Sequence, residues 1–238
     1  MTPALIRLLH LASPTLPVGA YTYSQGLEWV VECGTVRNEA DALAWIGDCL
    51  EHGVACLEAV YLAHMLVAWR GDERQRLAHL DAEFLASRET AELRAETLQM
   101  GHSLARLLED LDKTSVTRMQ HDGTREPGIP PSAGLRGFAT PSFPLAWSCM
   151  AARWDIPVED AVAGYLWAWA ENQVMAALKA VPLGQTSGQR MLLALGERIP
   201  ELAARATATP ITDTRNFLPA FAIASSRHET QYTRIFRS

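Results

Sequence analysis

Cys49, His52 and Cys56 carry the side chains best suited to metal chemistry, since two thiols and an imidazole are soft ligands for nickel, zinc or copper(I). At about 100° per residue they fall within roughly 60° of one another on one helix face. Three residues of one helix rarely enclose a metal without a ligand from elsewhere. Trp45, Ala59 and Ala63 share the face, and cysteine is a common core residue, so core burial is the stronger reading and metal contact the weaker. Glu28 and Glu32 stand four apart on another predicted helix. Paired carboxylates can do acid–base work or bind a cation, but more simply form a solvated face. Thr22-Tyr23-Ser24-Gln25-Gly26 imitates a nucleophile elbow without its first glycine or preceding strand, which leaves Ser24 as a helix-start serine.

The motifs of several reaction classes are absent. The chain has no G-x-x-x-x-G-K-[ST], no G-x-G-x-x-G and no H-E-x-x-H. His121-Asp122 is the pair that helical metal phosphohydrolases of the HD type combine with further ligands, and His64, His79 and His102 lie upstream. The pair borders a glycine- and proline-rich stretch, where a solvated loop dipeptide is the simpler reading.

The elements that must position these residues read as helices almost throughout, with no sustained period-2 alternation. Helices are predicted over Pro3 to Ala12, Thr22 to Glu32, Asn38 to Trp69, Glu73 to Ala86, Glu89 to Leu111, Pro144 to Trp154, Pro157 to Ala180, Ser187 to Arg205 with Pro200 a point of interruption, and Phe217 to Ala224. Asn38 is the N-cap of the third, with Glu39 and Asp41 where the helix dipole favours carboxylates. Leu43, Ile46, Leu50, Val54, Leu57 and Tyr61 form its apolar stripe, with Gly53 a weak point. The stretch from Ala161 to Leu178 is apolar nearly all round, but Glu171, Asn172 and Gln173 interrupt it, so it belongs at the centre of a bundle rather than in a membrane. Residues 121–137 form the one substantial loop. The expectation is an all-α, single multi-helix bundle-like domain spanning 1–238.

Composition narrows the function classes. The 238 residues carry a net charge of −6 and 48% hydrophobic side chains, which excludes disorder as the main state and argues against general nucleic-acid binding. Four cysteines without C-x-x-C spacing point to reduced thiols in the cytoplasm, and no signal peptide is read. Lys113 and Lys179 are the only lysines beside nineteen arginines. Arginine suits forked pairing at interfaces. The tail from Ser225 to Ser238 carries Arg227, His228, Arg234 and Arg237 against Glu229 alone. Such an end is disordered unless docked. A helical tail would place Tyr232 and Phe236 on one side, ready for a partner groove.

Several segments together resemble one family. Leu11-Ala12-Ser13-Pro14-Thr15-Leu16-Pro17-Val18-Gly19-Ala20-Tyr21-Thr22-Tyr23-Ser24-Gln25-Gly26-Leu27-Glu28 resembles the N-terminal signature of the UreF-type urease accessory proteins. Val181-Pro182-Leu183-Gly184-Gln185 with Gly188-Gln189-Arg190 is similar to their central motif, and Ser226 to Ser238 to their C-terminal one. Arg88-Glu89-Thr90 and Glu92-Leu93-Arg94 match a helical piece. Tyr21-Thr22 departs mildly from the expected Phe-Ser or Tyr-Ser pair.

The resemblance implies an all-α homodimer without catalytic residues. It implies assembly with the UreD (also called UreH) accessory protein, the UreG GTPase and apo-urease, with no intrinsic cofactor and nickel in transit as cargo. On that basis the partner-binding candidates are Tyr23 and Glu28 near the extended Ser13 to Gly19 segment, Lys179, Gln185 and Arg190 around the Pro182-Leu183-Gly184 turn, and Arg227, His228, Glu229, Tyr232, Arg234, Phe236 and Arg237 in the tail. Neither nucleic acid nor membrane is expected as a partner. An HD-like phosphohydrolase and an unrelated helical adaptor are the competing readings.

Overall fold

The computed structural model describes residues 2–122, 135 and 137–238, and of 112–122 the backbone alone. The loop expected at 121–137 lies almost wholly outside the described residues, as do the side chains of His121 and Asp122. Among the described residues every regular element is helical and no strand occurs, as the periodicity predicts.

Helix α1 (Pro3–Leu11) starts where Thr2 Oγ1 accepts the Leu5 amide, with proline at its first position. A 3-10 turn over Ala20–Thr22 precedes α2 (Leu27–Glu32). Helix α3 (Glu39–Asp48) begins at the predicted cap: Asn38 Oδ1 accepts the Asp41 amide at 3.0 Å. A π-helical turn, Cys49–Val54, separates it from α4 (Glu58–Arg70). Then follow α5 (Arg74–Ala86), α6 (Ala91–Asp122), α7 (Phe143–Arg153), α8 (Val158–Ala180), α9 (Gln185–Gly196), α10 (Ile199–Ala208) and α11 (Pro219–His228).

Helix α8 is the hub the sequence predicts. It touches α1, α2, α3, α4, α7, α9 and α10, and its Ala161, Val162, Tyr165, Leu166, Ala170 and Val174 are buried. Helix α4 lies against α5, α7, α8 and α10, and α7 also packs on α6. One buried apolar cluster runs from Leu11 to Phe236, so both ends of the chain join the core. Among the described residues no single helix is long and apolar enough to cross a membrane.

One expectation is corrected and two are sharpened. The helix predicted over Thr22 to Glu32 is broken, because Gln25 and Gly26 both take left-handed φ, at 52° and 81°. A Cβ on Gly26 would lie 2.8 Å from the Ser225 amide nitrogen, so glycine also lets α11 close onto α2. The helix predicted to continue to Trp69 is interrupted at the π turn, which contains the weak point Gly53. The groups released there find partners: Glu51 O accepts from Cys56 Sγ at 3.2 Å and Arg205 Nη2 at 3.4 Å, and Cys56 O from the Arg215 amide at 3.2 Å. The interruption read at Pro200 divides the Ser187 to Arg205 stretch into α9 and α10, at Glu197 and Arg198 just before that proline.

Helix α6 meets the start of α7 without room to spare. A methyl on Gly101 would stand 2.1 Å from Pro141 O and 2.7 Å from the Ser142 carbonyl carbon, both backbone atoms. Gly101→Ala is expected to cost about 3 kcal/mol in denaturant unfolding. Gly184→Ala, with open space around it, is expected to cost less than about 1 kcal/mol.

Candidate functional site

The N-terminal and C-terminal motif segments meet on α6, and three glutamates hold the junction. Glu28, in the first turn of α2, accepts the backbone amides of Ile235 at 2.6 Å and Phe236 at 3.0 Å, and its Oε2 lies 3.3 Å from His228 Nε2. His228 is fully buried and turns Nδ1 to Glu92 Oε2 at 2.8 Å. Arg234 Nη1 donates to the other oxygen of Glu92 at 2.7 Å, and Glu229 Oε1 accepts the Glu92 amide at 3.1 Å. Four residues along α6 from Glu92, Glu96 accepts from Ser238 Oγ at 2.9 Å and from Gln25 Nε2 at 2.7 Å. Ser238 O in turn accepts from the Ser24 and Gln25 amides and from Ser24 Oγ.

Buried carboxylates need such partners, because an ion taken out of water unpaired costs several kcal/mol. Glu28 has two backbone donors and an imidazole. Glu96 has only neutral donors, and burial pushes its carboxyl up to about 7 although Gln25 and Ser238 favour the ionised form. Behind it, Arg88 Nη1 donates to Glu58 Oε1 at 2.6 Å, and the Tyr165 hydroxyl donates to Glu58 Oε2. Burial works against the Arg88 charge, yet Glu58 beside it keeps its pKa above the ordinary value.

The tail is therefore not as the sequence predicts. Its helix, α11, ends at His228, and the residues beyond it lie along the surface of the same chain. Tyr232 and Phe236 do not share a side: the Tyr232 ring is fully exposed and Phe236 is buried. The composition argument failed because the tail's polar backbone is satisfied inside the molecule by Glu28, a residue that reads as half of a solvated pair. Glu32, its supposed companion, is exposed. Tyr23, a partner-binding candidate of the sequence, is buried, and its hydroxyl donates to Gln99 Oε1 at 2.7 Å. Arg237 donates its amide to Thr22 O at 2.8 Å.

The other candidates divide. Lys179 Nζ lies 5.8 Å from the centre of the Tyr21 ring and 5.5 Å from that of Phe236, so it joins the tail. Arg190 is engaged elsewhere, in a forked pair with Glu39 (Nε to Oε1 2.8 Å) that ties α9 to α3 and holds the Glu39 carboxyl down to about 2. The two cations do not act as one pair around the turn. Gln185 is exposed at the start of α9, and Arg227 is exposed on α11.

Among the described residues no three His, Cys, Asp or Glu side chains form a group able to hold a metal ion. His228 shows why at the site: it meets its two carboxylates through opposite ring nitrogens. Cys49 is buried, and burial pushes its thiol well up, away from the thiolate that metals bind. His52 is exposed, and Cys56 caps the π turn. His64 meets Thr209 O at 3.0 Å and His79 pairs with Glu83 at 3.3 Å.

Sequence reasoning missed Glu96 and Gln99, and used Gln25, Arg88 and Glu92 only as motif letters. A signal was present. Glu92, Glu96 and Gln99 stand at i, i+4 and i+7 on α6 and face the tail as one polar stripe.

Glu28→Ala leaves the Ile235 and Phe236 amides and His228 without their acceptor. It is expected to cost about 3 kcal/mol or more, with hydrogen exchange speeding first at 229–238. The Glu96 proton sets a pH dependence. The folded state keeps it up to about 7 while the unfolded chain loses it near 4.5. Stability should therefore fall as pH rises between these values and level off above them. Glu96→Gln is expected to flatten that slope in thermal melts.

The family model for UreF matches residues 36–196. A relative from Azoarcus sp. (strain BH72), "Urease accessory protein UreF", is 58% identical over 235 residues, covering 98% of this chain and 95% of the relative. One of the same name from Dechloromonas aromatica (strain RCB) is 56% identical, over 98% of this chain and 97% of its own. A third, from Methylobacillus flagellatus, is 43% identical over 99% of this chain and 98% of its own. The family model covers α3 to α9 and the relatives cover nearly the whole chain, and the chain belongs to the UreF family of non-enzymatic urease accessory proteins.

Proposed function

We propose that this chain is a scaffold in urease maturation, binding the UreD (UreH) accessory protein and the UreG GTPase so that nickel, as cargo, reaches apo-urease. It acts as a homodimer in the cytoplasm, one all-helical domain spanning 1–238. Its contribution is binding energy and placement, with no covalent step.

The observation that carries this reading is the seated tail. Its backbone is fixed from within by Glu28 and Ser24, while Tyr232, Ile235, Arg227, Arg234 and Arg237 face outward. Aromatic and arginine side chains dominate interface energies, at about 2 kcal/mol or more each once buried. With the backbone already ordered, docking costs the Tyr232 ring only its own rotamer freedom. Tyr232 and Ile235 supply an apolar centre and the arginines a rim suited to partner carboxylates. Unlike a tail that folds on binding, this one is preformed.

Size-exclusion chromatography with UreD is expected to give co-elution, and addition of UreG a larger species. Tyr232→Ala is expected to weaken the UreD complex about thirtyfold without lowering the melting temperature, because the ring touches nothing that holds the fold. An unchanged complex, together with normal nickel content in urease, would overturn the assignment of this surface. Absence of any complex between the parent chain and UreD would overturn the scaffold reading itself.

A further inference from the structure

His228 ends α11 and is the one fully buried histidine among the described residues. Its Nδ1 faces Glu92 Oε2 at 2.8 Å and its Nε2 faces Glu28 Oε2 at 3.3 Å. An ionised carboxylate only accepts, and a neutral imidazole has one N–H and one lone pair. A neutral ring would therefore turn its lone pair on one of the two carboxylates. The seat needs one proton more than a neutral histidine and two carboxylates contain.

The neighbours decide where that proton sits. Both Glu28 oxygens accept backbone amides, from Ile235 and Phe236, and these favour the ionised form. The other Glu92 oxygen accepts from Arg234, a cation that favours ionisation in the same way. The proton then belongs to the ring. Charge balance agrees. Glu28 comes from α2, Glu92 from α6 and Arg234 from the tail, so a neutral ring would leave two anions against one cation. An imidazolium evens the count. Glu229, whose carboxylate accepts the Glu92 amide, adds a negative charge that favours the imidazolium further. Glu32, Glu89 and Arg227 stand exposed, and Glu96 turns to Gln25 and Ser238 instead.

We propose that seating the tail takes up one proton on His228, which makes residues 229–238 a pH-sensitive latch, closed over the imidazolium and released when the ring loses its proton. Deprotonation sets a lone pair against Glu92 or against Glu28, the residue that holds the Ile235 and Phe236 amides. The sign follows from the uptake. Free histidine is charged below about 6.5, so there the latch is at full strength. Above that value closure has to take up a proton, and it weakens as pH rises. One proton limits the change to about tenfold in the opening constant per pH unit. The latch controls the face that carries Tyr232 and Ile235, yet it is a property of the chain alone, so its test is independent of the scaffold reading.

Ring-nitrogen NMR of the full chain with isotope-labelled histidine reads the proton directly. At about pH 7.5 His228 is expected to show two protonated nitrogens, where free histidine is mostly neutral. Hydrogen exchange at 229–238, divided by the intrinsic amide rates, gives the opening constant. Measured in Glu96→Gln, which removes the other buried proton of the junction, that constant is expected to rise at least about threefold from about pH 7 to about pH 8.5. Glu92→Gln added to this chain discriminates. Its amide nitrogen can donate to Nδ1 of a neutral ring while its oxygen keeps Arg234, so the extra proton is no longer needed. The rise should vanish, and His228 should show a single protonated nitrogen. A single protonated nitrogen on His228 in the parent chain at about pH 7.5 overturns the proposal without any variant. An opening constant unchanged across the range overturns it too, as does a rise that persists undiminished in a folded chain carrying Glu92→Gln.

Discussion

Glu28 is the constraint around which the chain ends are arranged. A carboxylate this buried is tolerable only if its oxygens are occupied, and the occupants come from the far end of the sequence: the Ile235 and Phe236 amides and the His228 ring. A closed circuit results. Glu28 meets His228, His228 meets Glu92, Glu92 meets Arg234, and Arg234 is the neighbour of Ile235, which returns to Glu28. Two helices, α2 and α6, supply the acids, and α11 with the tail supplies the donors. No member can be moved alone, since each departure strands a buried polar group.

That circuit explains features that look unrelated along the sequence. Gly26 needs its positive φ and missing side chain because α11 must come within reach of Glu28. Ser24 and Gln25 turn their amides toward Ser238 because the left-handed Gln25 ends the preceding turn there. Arg88 and Glu58 sit behind Glu96 and limit the unbalanced charge on that side of α6. The N-terminal and C-terminal motifs are thus one structural unit split by the length of the chain.

The sequence made the helical scaffold legible because its signals are local. The Asn38 cap, the proline-led starts of α1 and α8, and the nearly all-apolar α8 each depend on residues within a turn or two. The junction was not legible in the same way. Glu28 was weighed with Glu32, its neighbour on a helix, whereas its real partners are about two hundred residues away. The tail was judged by its own composition, although what decides order is whether its backbone donors find acceptors. At the π turn the weak point, Gly53, was legible but not what stabilises the break. The stripe from Leu43 to Tyr61 is apolar enough for one helix, but the contacts that stabilise the break come from Arg205 and Arg215. The resemblance located the right segments without saying which of their side chains face inward.

A preformed tail changes what an interface mutation does. If the tail were disordered, every tail residue would count in binding, because each would help set the ordered state. With the backbone already held, the residues separate into two classes by direction. His228, Phe236 and Ser238 point inward and act on partners only through the shape of the tail. Tyr232, Ile235 and Arg227 point outward and can meet a partner directly. Arg234 belongs to both, since its charge is spent on Glu92 while 39% of its side chain remains exposed. A docked carboxylate would compete with Glu92 for it, and would loosen the ring of contacts that Glu28 closes. Partner binding and the seating of the tail are then coupled through one guanidinium, in both directions.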